Sequence, residues 1–185
     1  ISPIPSEIGN MSSLKRLFLS ENQFTGSIPA FLGDISTLER LHLDGNEFSG
    51  EIPSELNQLT VLGFLNLSNN QLNGGINHLL DLIDTDFATL SLNTLKLSGN
   101  QLSGEIPSGL SGLSILELSN NSFTGSLPED IFQVYHTVKL DNNQLSGELT
   151  EEMFNHLSCM DTQNCLYCSD IDVIFINGNQ LSGEL

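Results

Sequence analysis

Three cysteines and a histidine lie close together in the last quarter of the chain, and their spacing suits a metal site or a disulfide. They form the pairs His156-x-x-Cys159 and Cys165-x-x-Cys168, and sets of four such ligands bind structural zinc. The five residues between the two pairs are too few for a typical zinc finger. In an exported protein, one disulfide plus a remaining thiol is the favoured interpretation. We therefore predict a disulfide among Cys159, Cys165 and Cys168, with its pairing left open, and no metal.

The serines and histidines do not form a catalytic set. The serines at positions 20, 68, 98 and 119 recur at equivalent places of a repeat, which accounts for them without chemistry. The four histidines, at positions 42, 78, 136 and 156, fall in different repeats, and no Ser-His-acid or Cys-His arrangement fits the register. The sequence therefore predicts that the protein is not an enzyme, has no catalytic residue and binds no cofactor.

A short acidic segment follows a stretch that could form a helical turn at residues 78–83. Asp81, Asp84 and Asp86 place oxygen atoms at alternating positions, as calcium-binding loops do. An EF-hand loop also needs a glycine and a terminal glutamate, and both are absent. A solvated acidic loop is the favoured interpretation.

The charge balance excludes two classes of partner. The chain carries 23 acidic and 5 basic residues, for a formal net charge of −18. Nucleic acids require a basic surface that neutralises phosphates, and an anionic membrane surface would repel this chain. No apolar run approaches the roughly 18 residues that span a bilayer. We expect neither nucleic-acid binding nor membrane insertion of this segment.

An internal repeat dominates the sequence, with the pattern Leu-x-x-Leu-x-Leu-x-x-Asn-x-Leu/Phe-x-Gly. Its asparagines lie at positions 22, 46, 70, 100, 121, 143 and 179, with spacings of 24, 24, 30, 21, 22 and 36 residues. In one copy, Leu41 and Leu43 point to the same side of a strand because they are two residues apart. Asn46 ends that strand, and its amide can bind backbone groups in its own coil and in a neighbouring coil. Each coil must stack on its neighbours to bury its apolar side.

The tails of these repeats resemble a known family. The segments at 26–29, 50–53 and 104–107 read Gly-Ser-Ile-Pro or Gly-Glu-Ile-Pro, like plant-type leucine-rich repeats of receptor-like kinases, receptor-like proteins and polygalacturonase inhibitors. The resemblance covers essentially the whole chain. It implies an α/β solenoid, a right-handed superhelix with one concave parallel β-sheet of seven strands. The convex side would carry loops, short helical or 3-10 turns and extended Ile-Pro segments.

The chain also departs from that pattern. The proline is missing at 74–77 and 147–150, and this irregularity also resembles secreted repeat proteins of algae or protists. We expect residues 1–185 to form a single domain of about seven coils, with irregular insertions near 77–91 and 151–170. Because both ends fall inside a repeat without a polar cap, we expect neighbouring repeats or caps in a longer protein.

The basic residues are confined to one face of the predicted sheet. All five lie within the seven residues before a repeat asparagine, together with only six of the 23 acids. Lys96, Glu117 and Lys139 follow one another in a column, and a structural charge ladder is the favoured interpretation. The remaining surface carries 17 acids and no base.

The first three coils differ, because two arginines stack there beside aromatic rings. We predict a ligand-binding patch of Arg16, Phe18, Arg40, His42 and Phe64, since arginine with exposed aromatic residues is typical of binding hot spots. Its partner would carry carboxylates or other anions. In the alternative interpretation, Glu21, Glu39 and Asp44 pair with the arginines and the rings pack only on one another.

Three functions remain open at this stage. The first is an extracellular or cell-surface recognition module that binds a protein or peptide on the strand face. The second is a structural extracellular repeat protein of a matrix, coat or appendage. The third is a secreted inhibitor or ice-binding protein. Asn10, Asn66 and Asn120 begin Asn-x-Ser motifs and are glycosylation candidates in a secreted protein.

Overall fold

The leucine periodicity produces a stack of coils, and one strand of each coil joins a common sheet. The computed structural model describes residues 2–83, 92–134, 136–154 and 171–183. Seven parallel strands form this sheet in the order β1-β3-β5-β7-β9-β11-β13. Their bounds are β1 Arg16–Phe18, β3 Arg40–His42, β5 Phe64–Asn66, β7 Thr94–Lys96, β9 Ile115–Glu117, β11 Thr137–Lys139 and β13 Val173–Phe175.

The central residue of each strand faces the core, and its two neighbours face away. Leu41, Leu65, Leu95 and Leu116 are completely buried, as the two-residue alternation of a strand predicts. The predicted parallel sheet of seven strands is therefore confirmed. We call the outward side, formed by the first and third residues of these seven strands, the strand face.

A second set of strands was not predicted and corrects the expectation of a single sheet. Five strands that follow the repeat asparagines pair in parallel in the order β10-β8-β6-β4-β2, and two more form a separate pair. Their bounds are β2 Thr25–Gly26, β4 Glu47–Glu51, β6 Gln71–Gly74, β8 Gln101–Glu105, β10 Ser122–Thr124, β12 Ser146–Glu148 and β14 Gln180–Ser182. These segments are rich in glycine and polar residues, so their sequences carry little strand signal.

Short helices follow most of the extended Ile-Pro segments. The described residues contain six short helices in all. The 3-10 helices are η1 Ser6–Asn10, η2 Ala30–Asp34, η3 Ser54–Gln58, η4 Asn77–Leu82 and η5 Ile131–Gln133, and the α-helix is α1 Glu151–Phe154. Pro29 and Pro53 are extended (φ −71°, ψ 132° and φ −66°, ψ 132°) and directly precede η2 and η3. The prediction of extended Ile-Pro segments is confirmed there, because proline fixes φ and suits the entry to a helix. The expected turn at 78–83 is also confirmed as η4.

The repeat asparagines bind successive coils together. The Asn70 amide nitrogen donates to Leu67 O of its own coil (3.1 Å) and to Leu43 O of the preceding coil (3.0 Å). Its amide oxygen accepts a hydrogen bond from Phe48 N of the preceding coil (3.0 Å). The same three kinds of bond recur at Asn46, Asn100, Asn121, Asn143 and Asn179. The predicted asparagine ladder is therefore confirmed.

Replacing one ladder asparagine should destabilise the solenoid strongly. Asn70→Ala would leave Phe48 N without a partner and would remove one of the two amide donors from Leu43 O and from Leu67 O, which keep Asn46 and Asn100. We expect a loss of at least ~2 kcal/mol in the free energy of unfolding, because a buried group left unpaired costs about 1–3 kcal/mol and each further hydrogen bond contributes about 0.5–1.5 kcal/mol. Urea denaturation measures this. The control is Asn73→Ala, an exposed residue of β6, which should change stability by less than ~0.5 kcal/mol; similar losses in both variants would refute the ladder's role.

Candidate functional site

The five residues of the predicted patch lie on three adjacent strands. The register places Arg16 opposite Arg40 and Phe18 opposite His42, and Arg40 opposite Phe64. All five are at outward positions of β1, β3 and β5, with a buried leucine between each outward pair. Neighbouring strands are ~4.8 Å apart, so these side chains form one continuous surface on the strand face.

The two arginines differ from the three lysines in having no acidic partner. Lys15 pairs with Glu39 (2.7 Å), and both Lys96 (3.3 Å) and Lys139 (2.9 Å) pair with Glu117. Within residues 2–83, 92–134, 136–154 and 171–183, neither Arg16 nor Arg40 forms an ion pair or a side-chain hydrogen bond. Two exposed guanidinium groups therefore stack on adjacent coils with free donors.

The acidic residues near the arginines are engaged elsewhere. The hydrogen bond from Lys15 holds the pKa of Glu39 below its usual value, and the charges of Lys15, Arg16 and Arg40 act in the same direction. Asp44 Oδ1 accepts a hydrogen bond from Ser20 Oγ (2.6 Å). Among the described residues, the lateral pairing of the alternative interpretation is thus not observed.

Glu21, the third acid in that interpretation, reaches across to the next coil. Its carboxylate lies over Gly45, where a Cβ would be only 2.4 Å from Glu21 Oε1. The Glu21 backbone has a φ of 55°, a left-handed conformation that is uncommon for glutamate. This conformation belongs to the turn that ends the strand, because the residue before each repeat asparagine has a positive φ in all seven coils.

The three rings of the patch form one aromatic cluster, with His42 in the middle. The Phe18 and His42 ring centroids are 4.5 Å apart in an edge-to-face arrangement, and those of His42 and Phe64 are 4.4 Å apart and nearly parallel. Phe18 remains 57% exposed. Such pairs contribute about 0.5–1.5 kcal/mol beyond their burial, so the cluster is held in place before any partner arrives.

The position of His42 between two phenylalanines favours its neutral form. Burial lowers its pKa below the usual 6.5, the charges of Arg40 and Lys96 lower it further, and Asp44 opposes the shift. Its Nε2 atom is buried without a hydrogen-bond partner. A neutral imidazole leaves the positive charge of the patch on Arg16 and Arg40.

The middle of the strand face is already neutralised. Glu117 lies between Lys96 and Lys139 and bonds to both through Oε1. This arrangement agrees with the charge ladder expected from the sequence. A partner would therefore meet free cationic donors mainly at the first two coils.

A depression of about 490 Å³ adjoins the patch where β3, β5 and β7 begin. Its lining residues are Glu39, Arg40, Val61, Gly63, Phe64, Asn93 and Thr94. Sequence reasoning did not find this feature. The signal was nonetheless present, because Gly63 is the one residue without a side chain among the seven that precede the strands of the sheet.

The glycosylation candidates differ in accessibility. Asn10 and Asn120 are exposed, whereas Asn66 is half-buried on the strand face next to the patch. The Asn66 side-chain oxygen also accepts a hydrogen bond from Ser68 N (3.1 Å). Cys159, Cys165, Cys168 and His156, as well as Asp84 and Asp86, lie outside the described residues.

The described parts of the chain contain no cluster of three or more His, Cys, Asp or Glu side chains suited to a metal ion. Ser20 donates directly to Asp44, while the His42 ring packs between Phe18 and Phe64. These groups do not form a serine–histidine–acid relay. None of the helices described has the length and apolar character that a membrane span requires.

Comparison with known proteins identifies the repeat. The family model described as Leucine Rich Repeat matches residues 13–35, 37–59, 91–113 and 112–134. This chain is built of leucine-rich repeats. No curated protein matches the leucine-rich-repeat chain at a significant level.

Several solved structures of plant receptors resemble the leucine-rich-repeat chain along its whole length. The peptide hormone receptor RGFR1 in complex with RGF2 has 33% identity and a TM-score of 0.85 over 100% of this chain and 27% of that one. PEPR1 with AtPEP1 has 31% identity and a TM-score of 0.84 over 100% and 24%. The Arabidopsis receptor kinase HAESA, with the peptide hormone IDA and the co-receptor SERK1, has 33% identity and a TM-score of 0.76 over 100% and 28%. The chain thus spans about a quarter of each of these receptor structures.

A plant ice-binding protein shares the fold only. It is 23% identical, with a TM-score of 0.66 over 100% of this chain and 70% of that one. The leucine-rich-repeat solenoid alone accounts for that similarity.

The enclosure of His42 should be visible in its titration. NMR of the imidazole C–H should give a pKa below 6.5. Since the folded state prefers the neutral ring, the stability from this group is present above pH 6.5 and is lost as the pH falls through the folded pKa. Phe64→Ala should move the His42 pKa back towards 6.5 by admitting water, whereas Phe175→Ala at the far end of the sheet should not. An unchanged midpoint in Phe64→Ala would argue against burial as the cause.

Proposed function

We propose that this chain is a non-catalytic, extracellular recognition module that binds a protein or peptide on its strand face. We further propose that Arg16, Phe18, Arg40, His42 and Phe64 form the anchor and that the partner presents carboxylates there. The observation that carries this proposal is a pair of arginines with no acidic partner among the described residues, on a chain of net charge −18, while all three lysines are paired.

The chemistry of the two arginines supports an anionic partner. Guanidinium groups offer donors in a planar fork that matches a carboxylate. Two such groups on adjacent strands repel each other, and a bound anion would relieve that repulsion. The rigid cluster of rings beside them would supply apolar contact at little entropic cost.

The similar plant receptors support a peptide or protein as the partner class. RGFR1 was solved with RGF2 and HAESA with IDA, a peptide hormone. This chain shares the solenoid architecture of those receptors, which supports a partner of the same class.

The test is binding of a small acidic probe to the wild type and to charge-matched variants. The probe is the synthetic peptide Gly-Gly-Leu-Asp-Asp with a free carboxyl terminus, followed by NMR titration of backbone amides. Arg16→Ala/Arg40→Ala should weaken binding by about 30-fold, equivalent to ~2 kcal/mol, as expected for an anchor pair.

The control removes the same charge from the same face. Lys96→Met/Lys139→Met deletes two cations that already pair with Glu117, and we expect at most a threefold effect. A second control is the peptide Gly-Gly-Leu-Asn-Asn-amide, which carries no carboxylate and should not bind measurably. Equal losses in the two double variants would mean that only net charge matters and would refute the anchor. Absence of binding to the wild type would refute carboxylate recognition and favour the structural-protein alternative.

The extracellular location has a separate test. Mass spectrometry of the protein secreted from a eukaryotic host should find N-linked glycan at Asn10 or Asn120, which are exposed. It should find none at Asn66, since a glycan there would cover the patch. Retention of unglycosylated protein with reduced cysteines inside the cell would contradict the proposed location, and full occupancy of Asn66 would contradict the proposed binding face.

A further inference from the structure

The depression beside Arg40 exists because one side chain is missing from an otherwise continuous row. The residues that directly precede the seven strands of the sheet are Lys15, Glu39, Gly63, Asn93, Ser114, His136 and Asp172. Only Gly63 lacks a side chain. The coils of β3 and β7 carry Glu39 and Asn93 on either side of it. The gap is therefore a slot one coil wide.

The polar groups that line the slot are already engaged, with one exception. Gly63 N donates to Glu39 O (3.0 Å), and Gly63 O accepts from Asn93 N (3.0 Å) and Thr94 N (3.1 Å). The Glu39 carboxylate is held by Lys15. The exception is the Arg40 guanidinium, which has no partner among the described residues.

The side-chain amide of Asn93 is also engaged within the protein. Its Nδ2 donates to Ser114 Oγ (2.7 Å) on the next coil, and its Oδ1 accepts from Thr94 Oγ1 (3.2 Å). The remaining contact surface comes from the Val61 side chain and the Phe64 ring. The slot therefore offers an apolar part at Val61 and Phe64, polar groups that are mostly engaged, and at its rim a cation with no partner among the described residues.

We infer that the slot at Gly63 is a side-chain subsite, which receives one apolar residue of a partner whose neighbouring carboxylate is bound by Arg40. This inference rests on the proposed function and specifies its partner, an acidic segment in which an apolar side chain lies next to the acidic residues. A polar side chain would lose its hydration in the slot without finding a partner, whereas an apolar one would gain from burial.

The slot has room for an apolar side chain. Successive coils are ~4.8 Å apart. The coils of β3 and β7 therefore lie on the two sides of one strand, β5. The volume of about 490 Å³ is within the range of pockets that bind small ligands. The backbone at position 63 can carry a side chain, because Gly63 does not have a positive φ.

The experiment compares two probes that differ only in the residue assigned to the slot. These are Gly-Gly-Leu-Asp-Asp and Gly-Gly-Gly-Asp-Asp, both with free carboxyl termini, titrated into the full chain and followed by NMR. The wild type should bind the leucine probe about tenfold tighter, as expected for burial of most of one aliphatic side chain. Arg16→Ala/Arg40→Ala should weaken both probes by similar factors.

Filling the slot from the protein side provides the matched variant. Gly63→Leu places a side chain in the gap and should abolish the preference for the leucine probe while leaving the affinity for the glycine probe within threefold. The control is His136→Leu, three coils further on. His136 N donates to Ser114 O (3.0 Å) as Gly63 N does to Glu39 O. Because His136 does not line the slot, this variant should keep the tenfold preference.

The outcomes separate the two proposals. Equal affinity of both probes for the wild type overturns the slot and leaves the proposed function standing. A preference that survives in Gly63→Leu, or that disappears equally in His136→Leu, also overturns it. If neither probe binds the wild type, the proposed function fails and the slot fails with it. The comparison of probes on the unmodified chain does not depend on the folding of any variant.

Discussion

The asparagine carboxamide that joins one coil to the next is the interaction on which the rest of the structure depends. Each coil is too small to bury its own leucines, so a coil is stable only when stacked. At Asn70 and five equivalent positions, the buried amide donates to carbonyls of two coils and accepts from a backbone amide of the preceding one. The ladder satisfies turn groups that would otherwise be buried unpaired, and it fixes how far each coil is displaced from the last.

That fixed displacement turns a one-dimensional sequence pattern into a surface. Because every strand starts at the same place relative to its asparagine, residues at equivalent positions form rows across the sheet, such as Arg16, Arg40 and Phe64. The core positions must stay apolar and the turns must accept a left-handed residue, so the outward positions are where repeats are free to differ. Differences between coils, rather than features shared by them, therefore define the candidate site.

Two such differences lie next to each other. Charges along the strand face neutralise one another at Lys96, Glu117 and Lys139, but the arginines of the first two coils have no acidic partner in the part of the chain that the structure describes. The missing side chain at Gly63 then opens a slot beside one of them. The rings of His42 and Phe64, which stack beside the arginines and the slot, hold each other in one conformation. This lowers the conformational entropy lost on binding.

The sequence by itself determined the solenoid, the seven-stranded sheet, the asparagine ladder and which outward residues lie side by side, because leucine and asparagine periodicity fixes the register of every coil. It missed the second set of strands, since segments such as β4 and β6 have no alternation and pair only because the ladder brings them into line. It also left open whether Glu21, Glu39 and Asp44 neutralise the arginines, because several pairings are compatible with the same rows. Only the tertiary structure decided this, by placing Lys15 on Glu39, Ser20 on Asp44 and Glu21 over Gly45. Side-chain competition for partners depends on distances across coils, which the spacing of residues does not specify.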